Sequence, residues 1–197
     1  MFTSEHRFSY CIVVDLDYTL VSVDTSAAIV RRLCPWKYKF FSLVFMVLKP
    51  LALLSRKLNK DLYKLILLRY CLNRYINLDL ENAAKSLYYE VRKSGLNVPL
   101  LNTIKKTGGL KILLTASIDI IAKKFKDLGF DLVISSVVKC SETRPFSLLD
   151  LYAKKHVILS HLLKYCGKLL IIEDSPEPQY YELQGVKVFR VVYNERE

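Results

Sequence analysis

The stretch "CIVVDLDYTL", Cys11 to Leu20, sets four apolar residues, three of them β-branched, directly before two carboxylates, Asp15 and Asp17. An apolar run of this kind suits a strand buried on both faces, as in a parallel sheet covered by helices. Two negative charges at the end of such a strand are costly unless something there compensates them. In an open parallel sheet, ligands bind beyond the carboxyl ends of the strands, which is where Asp15 falls. Two carboxylates at this spacing can share a hard divalent cation, one through its side chain and the other through its backbone carbonyl or as a nearby acid/base. Asp17 or Thr19 would serve equally well as a helix N-cap. The rest of the chain has to decide.

Four more apolar runs resemble the first: residues 110–115, 131–137, 168–173 and 186–193. Between them lie stretches of helical period, "IDIIAKKFKDLG" closed by Gly129 and "LDLYAKKHVILSHLLKYCG" closed by Gly167. Alternation of strand and helix predicts an α/β fold, a Rossmann-like parallel sheet with helices on its faces. Residues 22–100 break the rhythm with long helical periodicity and little strand signal. They are expected to form a helical cap inserted after the first strand, leaving 1–21 and 101–197 as the core.

Further strand ends carry chemistry. "KILLTASID" places Thr115 and Ala116 after a strand, where a hydroxyl and backbone N–H groups at a helix start can hold a phosphate oxygen. "LLIIEDSPE" supplies a second acidic pair, Glu173 and Asp174, suited to a magnesium shell. "LYAKKHVIL" offers Lys154 and Lys155, either of which can balance charge on a nucleophile and a phosphoryl group. Singly, each is as readily a turn residue or a solvated charge. In this order on successive strands they form a pattern.

That pattern resembles the haloacid dehalogenase (HAD) superfamily over the whole chain. "DLDYT" is similar to its D-x-D-x-T motif, which implies Asp15 as nucleophile and Asp17 as acid/base. "LLTAS" is similar to the second motif, with Thr115 and Ala116 binding phosphate, and Lys155, with Lys154 as the alternative, to the third. "IIEDSPE" resembles the fourth, implying a magnesium ion held by Asp15, Asp17, Asp174 and Glu173. Pro178 stands where many relatives have another Asp, leaving Glu173 or Glu177 as the second acid. Retention of both Asp17 and Thr19 implies a phosphatase of phosphate monoesters working through an aspartyl-phosphate. The alternative is a non-catalytic binding module of the same fold.

Composition separates the two parts again. The chain of 197 residues is 52% apolar and 25% charged, which describes a folded protein. Residues 25–75 hold eleven Lys and Arg against Asp61 alone, a net +10 of the chain's +11. The same segment contains "PWKYKFFSLVFMVLKPLALLSRK", whose apolar run Phe41 to Leu54 is shorter than the about 20 residues of a spanning helix. Residues 36–57 are expected either to lie in the interface of an anionic membrane, beside a lipid or other phosphorylated substrate, or to pack inside the cap. The apolar run disfavours nucleic acid as the partner. Five scattered cysteines without a C-x-x-C pair predict neither a zinc site nor a disulfide framework. With no basic start and apolar stretch at the N-terminus, they imply a cytosolic protein, peripheral at the inner face of a membrane if bound to one.

Overall fold

The computed structural model describes residues 8–55, 68–71, 77–141, 144–149, 151 and 154–192. Its strands are β1 Cys11–Val14, β2 Leu110–Ile118, β3 Leu132–Ser141, β4 Arg144–Leu149, β5 Leu169–Glu173 and β6 Val186–Arg190. They form one sheet in the order β4-β3-β2-β1-β5-β6. β1 lies at its centre, with Val13 registered in parallel against Ile112 on one side and Ile171 on the other. All four of its residues are buried, as an uninterrupted apolar run requires. Five strands are parallel, and only β4 runs antiparallel, against β3.

Between β1 and β2 come α1 Thr25–Leu33, α2 Pro35–Ser55, a helical stretch at 68–71, α3 Asn77–Ser94 and α4 Val98–Lys106. Asp24 caps α1 by accepting from the Ala27 N–H at 2.9 Å, and Asn97 caps α4 by accepting from Leu100 at 3.2 Å. Later come α5 Asp119–Ala122, α6 Lys155–Leu162 and short 3-10 turns at Lys123–Leu128 and Pro178–Glu182. Strand alternation divides the core into two layers. Ile12 and Val14 face Ile29, Leu80, Leu87 and Phe125, whereas Cys11 and Val13 face Leu159, Ile171 and Tyr180. The inserted helices α1 and α3 therefore share one apolar core with the sheet. α4 crosses the boundary expected at 100, burying Leu101 and Ile104 in that same layer.

Several expectations are corrected. The helix expected to reach Gly167 is only Lys155–Leu162; Gly167 instead donates its N–H to the Phe8 carbonyl at 3.0 Å and leads into β5. Of the described residues ahead of α6, Leu149 ends β4 and Leu151 packs against the layer of Val13 and Leu159. Gly129, by contrast, ends its helical turn with φ of 106°, as its position predicts. The expectation of no disulfide is also overturned. Cys11 and Cys166 are bonded, with Cα atoms 5.7 Å apart, because pairing of β1 with β5 and the Phe8–Cys166 bridge bring distant residues together. That bond removes the compositional ground for a reducing compartment. Cys34 and Cys71 are buried thiols, with the Cys34 Sγ–H donating to the Cys71 carbonyl at 3.2 Å.

Candidate active site

Beyond β1 the chain turns sharply. The Leu16 carbonyl accepts from the N–H groups of Leu20 and Val21 at 3.0 Å each, and Tyr18 takes a left-handed φ of 55°. Burial of Leu16 and Leu20 anchors the turn and offsets the roughly 1 kcal/mol that this φ costs a residue with a Cβ. Asp15 continues the sheet ladder through its N–H to the Ile172 carbonyl at 3.0 Å. Its side chain is thereby fixed at the carboxyl end of the central strand.

The first residue of α6 answers the charge of Asp15. Lys155 Nζ lies 3.0 Å from Asp15 Oδ1 and 2.8 Å from Glu173 Oε1, and all three side chains are buried. Burial alone would push the Lys155 ammonium down, but the Asp15 and Glu173 carboxylates outweigh it and hold the group above the ordinary lysine range. Burial pushes the Glu173 carboxyl up to about 7; Lys155 opposes this, while the charges of Asp15 and Asp174 add to it. Lys154, the residue preceding the helix, has its side chain exposed, so the structure assigns the contact to Lys155.

Asp17 is held differently. Its Oδ1 accepts from the Thr25 N–H at 3.0 Å and the Thr25 hydroxyl lies 2.8 Å away, while Oδ2 accepts from the Ser117 hydroxyl at 2.6 Å. The two hydroxyls are themselves 2.9 Å apart. Ser26 accepts from the Ile118 N–H at 3.3 Å, so the first turn of α1 is tied to the end of β2 at adjacent points. Neither Thr25 nor Ser117 was singled out from the sequence; no spacing links residues 92 positions apart.

The second motif also differs in detail. β2 runs on to Ile118, with its register against β3 shifting after Leu114, so Thr115 and Ala116 lie on an irregular strand end rather than at a helix start. The Thr115 hydroxyl accepts from the Ser117 N–H at 3.1 Å, and the Ala116 carbonyl from Ser136 Oγ at 2.7 Å. On the other side, the Asp174 N–H donates to Thr19 Oγ1 at 2.8 Å, and Arg190 Nε donates to the Asp174 carbonyl at 3.0 Å. Thr19 thus joins the β1 turn to the β5 end. Glu177 instead stands 3.7 Å from His156 Nδ1, apart from the lysine contact.

These features coincide with known architectures. No protein-family model and no curated protein matches the sequence. Among solved structures, the chain is similar to a protein of unknown function from Bordetella pertussis Tohama I, at 15% identity and a TM-score of 0.63, covering 91% of this chain and 97% of that one. It is similar to a HAD family hydrolase from Salmonella enterica serovar Typhi, at 14% identity and a TM-score of 0.61, covering 87% of this chain and 58% of that longer one. A phosphoserine phosphatase from T. onnurineus aligns over 94% of this chain and 91% of its own, at 14% identity and a TM-score of 0.59. This chain has the HAD fold.

Within the HAD fold the expected metal donors are only partly together. Among the described residues no three His, Cys, Asp or Glu side chains cluster tightly enough to enclose an ion. Both Asp17 carboxylate oxygens accept from Thr25 and Ser117, Lys155 engages one oxygen each of Asp15 and Glu173, and Asp174 Oδ2 accepts from the Ser175 hydroxyl at 2.8 Å. Asp15 Oδ2 and Asp174 Oδ1 are hard oxygen donors at the ends of adjacent strands. Magnesium takes one or two carboxylates and otherwise keeps its waters, so this smaller donor set fits it.

Proposed function

We propose that this protein is a magnesium-dependent phosphomonoesterase of the HAD type, acting on a phosphorylated small molecule or lipid at the surface of an anionic membrane. One observation carries the chemistry: Lys155 Nζ, seated between Asp15 and Glu173, sets a buried positive charge beside the Asp15 carboxylate at the strand end where a nucleophile is needed. Asp15 attacks phosphorus in line; the bond from phosphorus to the ester oxygen breaks, and Asp17 gives its proton to that leaving oxygen. Asp17 then takes a proton from water, the water oxygen attacks phosphorus, and the bond to Asp15 breaks. Inorganic phosphate leaves, with Asp15 again a carboxylate. The Thr115 hydroxyl and the Ala116 N–H serve as donors to the non-bridging oxygens, and Lys155 balances the charge that gathers there. Asp15, Asp174 and the Asp17 backbone carbonyl would hold magnesium, which supplies positive charge to the phosphoryl oxygens when bound.

The decisive experiment is phosphate release by purified protein with magnesium across a panel of monoesters that includes lipid phosphates. Hydrolysis that needs magnesium and vanishes in Asp15→Asn is the expected result. A folded, magnesium-supplied protein inert on every ester would instead favour a binding module built on the same fold.

A further inference from the structure

The run expected to meet lipid is not presented as the sequence suggests. Phe41 turns inward, its ring 4.9 Å from that of Tyr70, and both Phe41 and Tyr38 pack on the buried core. The outward positions of α2 are Trp36 at 82% exposure, Phe40 at 62%, Leu43 at 57% and Met46 at 65%, with Lys39 among them. At 100° per residue these five side chains fall within an arc of about 120°. Four large apolar side chains on one exposed stripe form a patch that a soluble surface rarely leaves uncovered.

We infer that this face of α2 docks in the interface of an anionic bilayer, a proposal that rests on the membrane-surface reading of the phosphatase and names the surface that would achieve it. Charge selects the occupant. Lys39 Nζ sits 5.5 Å from the Trp36 ring centroid, Arg31 is exposed in the last turn of α1 while Arg32 beside it pairs with Glu90, and Asp61 is the only acid among residues 25–75. A second copy pairing through a two-fold axis would set these cations against their own mates, which opposes association. An anionic lipid surface is attracted instead, by roughly 1 kcal/mol for each basic residue near it. Trp and Phe at headgroup depth with a lysine stem lying along the ring is the arrangement such interfaces favour. Among the described residues no helix is long and apolar enough to cross a membrane, so α2 would lie in the plane of the surface.

Trp36 is the only tryptophan of the chain, which makes its fluorescence a direct reporter of this contact. The full chain carrying Asp15→Asn is mixed with vesicles of phosphatidylcholine alone, or of phosphatidylcholine with about a quarter phosphatidylserine, which supplies the negative surface. Expected are co-sedimentation with the anionic vesicles and a blue shift of Trp36 emission. Phe40→Ser with Leu43→Ser should weaken binding at least about tenfold without lowering the melting temperature, since both side chains are already exposed. Lys39→Glu should weaken it on anionic vesicles and flatten its salt dependence. If Trp36 emission ignores vesicles, or shifts with protein concentration alone as the chain dimerises, the proposal is overturned. Binding without phosphatase activity in the native chain would leave docking intact and remove the phosphatase reading; activity without binding would do the reverse.

Discussion

The two halves of the site solve opposite problems. On the sheet side, Asp15 and Glu173 share one buried ammonium, and removing their solvent is tolerable because a full charge replaces it. On the cap side, Asp17 accepts from two hydroxyls and a backbone N–H. The ammonium offsets the cost of burying Asp15 and Glu173, whereas the hydroxyls and the N–H fix the orientation of Asp17. The contrast accords with the roles proposed for the two carboxylates, nucleophile and acid/base.

Asp15→Asn tests the sheet half most severely. Turnover on an aryl phosphate should fall by at least about a thousandfold, because an amide does not displace the leaving group. Circular dichroism should show the fold retained. Lys155→Ala should cost about a hundredfold or more in turnover and also lower stability by roughly 3 kcal/mol, since it leaves two buried carboxylates without a counter-charge. Lys154→Ala should change activity by less than about twofold, as expected for an exposed side chain. An inverse ranking of the two lysines would dissolve the contrast between the halves.

On the cap half the effect is smaller. Thr25→Val removes a buried hydroxyl from Asp17 and Ser117 but keeps the backbone N–H, so kcat should fall about tenfold and the melting temperature by about a few degrees. A change in KM alone would mean that Thr25 positions substrate rather than Asp17. The least pronounced effect concerns Glu173. Its carboxyl is raised from 4.5 to about 7 in the folded chain, so the folded state retains a proton that the unfolded state has lost. Metal-free protein should therefore lose stability as pH rises from 4.5 to about 7. Thermal melts of Glu173→Gln across the same window should be flatter, and an unchanged slope would assign it to another group.

The halves also differ in how far they could be read from the chain. Asp15, Asp174 and Lys155 were legible because each follows or precedes an apolar run at the place where a parallel sheet gathers its strand ends. Lys154 stayed open until the start of α6 was located, since apolar spacing defines a helix better than its first residue. Thr25 and Ser117 were not legible, for a hydroxyl gives no periodic signal and the β1–β2 pairing that joins them spans almost the whole insertion. β4 was missed because "RPFSLL" has neither strict alternation nor a β-branched run, and its Pro145 suits the sheet edge that it occupies. The Cys11–Cys166 bond depends likewise on tertiary register, which residue spacing does not encode.

The central place of β1 bears on how the chain is made. Residues 11–14 are synthesised ahead of both their neighbours: one flank is covered only by β2 and the other only when Leu169–Ile172 follow. At a synthesis rate of about 5–20 residues per second, that second flank is missing for on the order of ten seconds. A nascent chain of this topology carries an unfinished apolar strand until β5 is made, and a chaperone that binds exposed apolar segments would act in that window.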